Sequence, residues 1–324
     1  MYFSATAEIL QQQTDKEFKM LEISKQILDK YQVRKTKKQK LEFISFLKQY
    51  FPNLKVEEGG LGHNRNIIIG DVSRAKVVLS AHYDTCAVLP FPNLIMPRNF
   101  LFTILYAILI CIPFFAVMLV CDQLLYNLTD NWLLSYYISF ILMFALIIFI
   151  FMLGKPNKHT ANDNTSGVIT LLEIYAKMSE DERKNVVFVF FDNEENGLLG
   201  SSYFRKLHKQ EMNSKMLINF DCVSDGDNIF LVLNKVTRKC FEQPVKDVFK
   251  SSSDKIVHIH SSSTTFYPSD QMGFPVNISV SVLKKNRILG LYMNRIHTSR
   301  DTVFDERNIE FISDKTKQLI NKIS

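Results

Sequence analysis

The chain has 324 residues, 47% of them hydrophobic and 22% charged, a length and balance that suit one globular domain with additions, although the apolar residues are spread unevenly. Its 39 Lys and Arg against 33 Asp and Glu leave a net charge of +6, distributed without a basic stripe interleaved with aromatics, so no nucleic-acid partner is expected. Cys86, Cys111, Cys121, Cys222 and Cys240 are odd in number and lack CxxC spacing, so neither a disulfide framework nor a thiolate zinc site follows.

In chain order, the opening MYFSATAEILQQQTDKEFKML lacks the charged start, long apolar core and small-residue cleavage site of a secretory signal. Any route to a membrane is therefore expected to run through an internal segment. Residues 1–50 carry apolar positions at helical spacing, as in ISKQILDKY and KLEFISFLKQYF, and predict two amphipathic helices. Their Lys-rich face, Lys35 to Lys40 included, reads as solvated surface rather than as a lipid-headgroup patch.

From Asn66 onward short β-branched runs alternate with helical segments. Strands are expected at NIIIG, KVVLSAHYD, NVVFVFFDNEE, MLINFDCVS, NIFLVL, KIVHIHS and PVNISVSVL; helices are expected at SGVITLLEIYAKM, LLGSSYFRKLH, the Lys235 to Phe249 region and the C-terminal segment ending at Ile323. Such alternation predicts an α/β fold with a central, mostly parallel sheet flanked by helices. The chemically suggestive residues fall where strands stop, the usual ligand address in open α/β sheets.

Two blocks interrupt this pattern. Residues 99–121 and 132–153 contain no Asp, Glu, Lys or Arg, and each exceeds the length needed to cross a bilayer, about 20 apolar residues. Pro113 lies in the first, which a membrane helix tolerates when neighbours compensate the freed backbone group. Trp132, Tyr136 and Tyr137 stand at one end of the second, where interfacial aromatics belong. The connection DQLLYNLTDN carries two Asp and no basic residue, whereas Arg98 precedes the hairpin and Lys155 and Lys158 follow it. The charge asymmetry predicts a two-span integral membrane protein with both outer flanks, and the catalytic domain with them, on the cytoplasmic side. The expected organisation is helices over residues 1–50, catalytic domain over 51–97, a transmembrane hairpin over 98–154 and the rest of the catalytic domain over 155–324.

Five short motifs carry chemistry. In LSAHYDT, His82 and Asp84 share one face of a strand, an imidazole and a carboxylate suited to a metal ligand and its orienting partner. In TANDNTSGVITLLEI, Asp163 precedes a helix start, as an N-cap or an anion at the positive end of a dipole. Glu194 and Glu195 stand side by side where FVFFDNEE ends, a repulsive pair unless a cation or a proton separates their roles. Asp221 ends the apolar LINFD strand and needs a partner there; His297 leads into NRIHTSRDT.

Taken in order, HxD, NDNTSG, EE-GLxGS, NFD and HTSRDT, with YPSDQMGFPV before a late strand, resemble the zinc aminopeptidases of the aminopeptidase Y and bacterial leucyl aminopeptidase type, family twenty-eight of the metallopeptidases. The resemblance spans roughly residues 66–310 without the hairpin. It implies two Zn2+ ions, with Mn2+ or Co2+ as substitutes the donors would accept. His82, Asp163 and Asp221 would hold one and Asp163, Glu195 and His297 the other. Glu194 would be the general base, and Asp84 would hydrogen-bond His82. The substrate would be a peptide with a free N-terminus, drawn to the acidic cluster.

Tyr267 and Asp270 are candidates for the substrate pocket. His258 and His260 read as surface residues of one strand face, Cys86 and Cys222 as small packing residues. The rival activities are a one-zinc glutaminyl cyclase chemistry and a non-catalytic membrane scaffold of the same fold.

Overall fold

A computed structural model of the protein describes residues 22–323, so the first part of the amphipathic N-terminal segment lies outside the described residues. Within them, helix α1 covers residues 22–30 and α2 Lys37–Tyr50, the latter started by a capping box in which Thr36 accepts from Gln39 N and the Gln39 side chain returns to the Thr36 backbone. Strands β1 (Lys55–Gly59), β2 (Asn64–Ile69) and β3 (Val77–His82) follow. The apolar hairpin is α3 (Phe100–Thr129) and α4 (Trp132–Ile148). Then come α5 (Gly167–Lys177), the short α6 (Glu180–Arg183), β4 (Val186–Phe191), α7 (Leu199–Leu207), β5 (Met216–Phe220), β6 (Asn228–Leu233), α8 (Lys235–Val248), β7 (Ile256–Ser261), β8 (Val276–Asn286), β9 (Gly290–Tyr292) and α9 (Glu306–Ile323).

The sheet runs β1-β2-β4-β3-β5-β8-β6-β7, with β9 paired to β8. Its centre, β4-β3-β5-β8, is parallel, as the sequence predicts; β1, β2 and the β6/β8 pair are antiparallel. VVLSAH and VVFVFF are buried along their whole length because the sheet is covered on both faces. Alternate residues go to opposite faces: Leu79, Phe188 and Phe190 join a large core with α1, α2, α5, α8 and α9, while Val78, Val187, Val189 and Phe191 pack with Phe204 of α7. Burying each such side chain contributes about 1.5–3 kcal/mol, enough to hold the sheet register that aligns the strand ends.

The expected Lys-rich solvated face is only partly so. Lys37 and Lys38 are exposed, but Lys40 is buried and paired with Asp192 at 2.5 Å, because α2 lays Phe43, Phe46 and Leu47 into the core and Lys40 follows them inward. Lys35 Nζ donates to Met152 O at 2.5 Å, tying this arm to the base of the hairpin.

Two helical stretches, Phe100–Thr129 and Trp132–Leu153, are long and apolar enough to cross a membrane, with mean hydropathy 2.8 and 2.6 and only 11% of each most apolar window buried. They touch each other through Phe114, Met118 and Met143 and otherwise present apolar side chains outward. The connection expected at DQLLYNLTDN is mostly helical: α3 continues to Thr129 and the turn is Asp130 and Asn131 alone, Asp130 adopting left-handed φ as the C-cap.

Candidate functional site

Three neighbouring parallel strands deliver the site. His82 is the last residue of β3, Glu194 and Glu195 lie on the turn after β4, and Asp221 directly follows β5, so the pairing of β3 with both β4 and β5 places these groups along one carboxyl-terminal edge. Asp163 enters from the segment preceding α5 and His297 from the loop after β9.

All five predicted ligand candidates meet. His82 Nε2 is 3.3 Å from Asp163 Oδ1 and 3.6 Å from Asp221 Oδ1, and His297 Nε2 is 3.0 Å from Asp163 Oδ2 and 3.2 Å from Glu195 Oε2. Asp163 thus turns one oxygen to each histidine. The potential ligand atoms of His82, Asp163 and Asp221 form one cluster within 4.8 Å, those of Asp163, Glu195, His297 and Cys86 a second, and those of His82, Glu194 and Glu195 a third.

The electrostatics follow from crowding acids into a poorly hydrated cleft. Desolvation pushes the Glu195 carboxyl up to about 8, with the neighbouring Asp163 charge adding to it. Glu194 rises well above the usual carboxylate range by the same burial, reinforced by Glu195 and Asp270. Desolvation alone would lower His297, but the Glu195 and Asp163 carboxylates outweigh it and lift the imidazole to about 9. Asp163 is held down despite burial, because both histidines hydrogen-bond to it. Glu195 Oε1 is buried with no hydrogen-bond partner. Two imidazoles and several carboxylates gathered into clusters each within 4.8 Å, one carboxylate with an unsatisfied buried oxygen, fit divalent cations of the zinc type.

Asp84 acts somewhat differently from expectation. The nearest hydrogen-bonding group to His82 Nδ1 is the Asp84 carbonyl at 3.1 Å, with carboxylate Oδ1 at 3.6 Å. The carboxylate itself accepts from Glu194 N at 3.0 Å and Glu195 N at 3.2 Å, fixing the glutamate turn. Tyr267 is buried, its hydroxyl donating to Asp221 O at 3.3 Å. Asp270 is fully buried with neither oxygen hydrogen-bonded, and burial pushes it up to about 7. The loop bearing both is anchored to the sheet, since Asn219 of β5 donates to Ser269 Oγ at 2.9 Å and accepts from Ser80 of β3 at 2.8 Å.

Several residues that support the site escaped the motif reading. Asp301 accepts from Asn162 N at 2.9 Å and Asp163 N at 3.0 Å. Asn164 Nδ2 donates to Phe220 O while its Oδ1 accepts from Gly167 N and Cys222 N, binding the Asp163 segment to the β5 end. Gly167 must be glycine there: a Cβ would meet Asn164 Oδ1 at 2.4 Å and Phe220 O at 2.5 Å. Arg34, fully buried, donates to Tyr83 O at 2.5 Å and to Thr165 Oγ1 at 3.2 Å, joining β3 to the Asp163 segment. Asp301 and Asn164 lie inside quoted motifs, so their types were visible although their roles were not. Arg34 and Lys40 carry no motif signal, because their partners are remote in sequence.

Cys86 also departs from expectation: it is buried, yet its sulfur belongs to the second cluster. Cys222 donates to Asp221 Oδ1 at 3.1 Å and lies outside the clusters. His258 and His260 are half-buried, their rings stacked at 6.2 Å, with Arg98 beside His260 at 3.0 Å.

A doubly covered, centrally parallel sheet with a histidine and carboxylate cleft at its carboxyl edge defines an α/β protein with a candidate divalent-metal centre. The family model described as peptidase family M28 matches residues 150–316, and the chain belongs to that family; it is a zinc metallopeptidase, a hydrolase. The match includes Asp163, Glu194, Glu195, Asp221 and His297, while His82 and Asp84 precede it. Among solved structures, the fold is similar to the Legionella pneumophila LapA aminopeptidase, at 12% identity over 94% of this chain and 70% of that one, with a TM-score of 0.55. It is likewise similar to LapB from Legionella pneumophila, at 13% identity over 94% and 71%, with a TM-score of 0.57. Porphyromonas gingivalis glutaminyl cyclase shares 15% identity over 93% of this chain and 97% of that one, with a TM-score of 0.56. No curated protein matches the chain by sequence.

Proposed function

We propose that the protein is a membrane-tethered dizinc aminopeptidase, of the aminopeptidase Y type, that hydrolyses the N-terminal peptide bond of substrates with a free amine. The observation that carries this reading is the convergence of five side chains, distant in sequence, into clusters that share Asp163, with Glu194 beside them. His82, Asp163 and Asp221 would hold one Zn2+ and Asp163, Glu195 and His297 the other; Mn2+ and Co2+ would be substitutes by donor type. Zinc held there would supply Lewis acidity to the water and the carbonyl that react. Glu194 takes the proton from that water and passes it to the departing amine, a role suited to a carboxyl whose proton affinity desolvation has raised. Asp84 keeps the Glu194 main chain in place, so the base meets its proton at a fixed position. The surplus of carboxylates attracts the substrate ammonium, and Tyr267 and Asp270 back the substrate side of the cleft. Helices Phe100–Thr129 and Trp132–Leu153 span the bilayer, with Arg98, Lys155 and Lys158 and the catalytic domain on the cytoplasmic face.

A panel of aminoacyl amides, with and without N-terminal acetylation, assayed on the zinc-loaded protein tests this. Glu194→Gln is expected to lower kcat by at least about 100-fold. Equal turnover of free and acetylated substrates would refute exopeptidase action, and a normally folded, zinc-loaded protein inert to the whole panel would favour the scaffold reading.

A second reading, glutaminyl cyclisation, is favoured by the fold shared with Porphyromonas gingivalis glutaminyl cyclase. One zinc per chain and release of pyroglutamate from glutaminyl peptides would select it over hydrolysis.

A further inference from the structure

Cys86 lies on the segment leaving β3, four residues beyond His82, in a chain whose cysteine spacing announces no thiolate site. Its sulfur and the ligand atoms of Asp163, Glu195 and His297 all lie within 4.8 Å of one another. The residue is 3% exposed, and Asn157 Nδ2 donates to its sulfur at 4.0 Å. In the same cluster Glu195, whose side chain is 9% exposed, keeps Oε1 buried without a hydrogen-bond partner while Oε2 lies 3.2 Å from His297 Nε2. A buried carboxylate oxygen left in this state is destabilising unless a cation takes its lone pair.

The sulfur is also held in place. Asn157 donates its main-chain N–H to Cys86 O at 3.1 Å and its side-chain amide to Thr298 O at 3.0 Å, and Leu89 N donates to His297 O at 2.7 Å. The Cys86 segment and the His297 loop are thereby locked side by side. Cys222, equally buried, serves as the internal contrast, since its sulfur donates to Asp221 and joins none of the three clusters.

We propose that Cys86 is a metal ligand on the His297 side of the centre, which is then held by sulfur, nitrogen and two carboxylates rather than by nitrogen and oxygen alone. The proposal rests on the dizinc reading above and makes the two ions unequal. The His297 side has four protein donors and the cluster of His82, Asp163 and Asp221 has three. Four protein donors are expected to hold the His297-side ion more tightly than three hold the His82-side ion. A coordinating thiol is deprotonated on binding, releasing its proton to solvent, and a soft donor selects zinc or cobalt over manganese.

The test is cobalt spectroscopy of the full-length protein in detergent, stripped with chelator and reloaded with Co2+, with metal content measured in parallel. An intense near-ultraviolet sulfur-to-cobalt absorption is expected in the wild type, lost in Cys86→Ser and kept in Cys222→Ser. Zinc affinity at one of the two sites should fall in Cys86→Ser by at least about 10-fold, the low end for partners that only support a ligand. Cobalt bound by the wild type without the absorption, or an absorption that survives in folded Cys86→Ser, overturns the proposal while leaving the metal centre standing. A wild type that binds no metal overturns the dizinc reading beneath it. Should Cys86→Ser fail to fold, the wild-type and Cys222→Ser spectra decide alone: absorption in both supports the proposal, and loss in Cys222→Ser overturns it.

Discussion

Asp301 Oδ2 accepts a hydrogen bond from the main-chain nitrogen of Asp163 at 3.0 Å, while its other oxygen accepts from Asn162 N at 2.9 Å. The carboxylate that faces both histidines is thus aimed by a second carboxylate behind it. Burial, helped by the Asp163 charge, pushes Asp301 up to about 7, so this support is maintained against a sizeable desolvation. Asp301→Asn keeps one acceptor and loses the other. Zinc affinity is expected to fall about 10–100-fold, the usual effect of removing a group that orients a ligand. Competition with a chromogenic chelator measures it, and an unchanged affinity would refute the positioning role.

Lys40 and Asp192 form a buried ion pair at 2.5 Å, with side chains 6% and 1% exposed, and Lys40 also donates to Asn193 Oδ1 at 2.8 Å. Removing the cation leaves Asp192 charged in the interior. Lys40→Met should therefore destabilise the protein by about 3–5 kcal/mol, and the Lys40→Met, Asp192→Asn double variant by less. Thermal melts of the zinc-free variants check the order; a double variant worse than the single one would contradict it.

His208 accounts for a pH dependence away from the cleft. Its Nε2 lies 2.6 Å from Glu57 Oε1, linking the end of α7 to β1, and this hydrogen bond raises its pKa above the ordinary imidazole value. A histidine whose folded pKa is raised stabilises the fold fully below its unfolded value, about 6.5, and the contribution disappears as pH climbs through the raised folded value. Glu57→Gln should lower Tm below about pH 6.5 and leave it nearly unchanged once pH exceeds the folded value. An equal Tm difference at both ends would exclude the linkage.

The hairpin offers a separate test. The flanks of α3 and α4 return to the catalytic domain through the Ala87–Pro156 and Ile95–Met293 bridges. Replacing residues 100–153 with a Gly/Ser linker should therefore move the protein from the membrane pellet to the supernatant and leave hydrolysis of small aminoacyl amides within about 10-fold, since every proposed ligand stays in place. Continued sedimentation with membranes after alkaline carbonate would contradict the two-span proposal.

The covered strands were legible because a strand buried on both faces must be apolar along its length, as NVVFVFF and KVVLSAH are. The hairpin was legible for the related reason that residues 99–121 and 132–153 carry no charge. The five ligand candidates were readable only through their joint order, each motif being ambiguous alone. Residues such as Arg34, Lys40 and Asn157 left no local trace, because their partners Tyr83, Asp192 and Thr298 are remote in sequence.

By itself, then, the sequence determined the alternation of buried strands and helices, the uncharged hairpin and the chemical types at each strand end, since these depend on local periodicity and composition. Only the tertiary structure decided that α2 carries Lys40 inward, that Asp84 secures the glutamate turn, and that the sulfur of Cys86 rather than that of Cys222 joins a ligand cluster. The reason is physical: a side chain's partner is set by sheet pairing and loop crossings that bring distant residues within a few ångströms, and no short stretch of sequence encodes those distances.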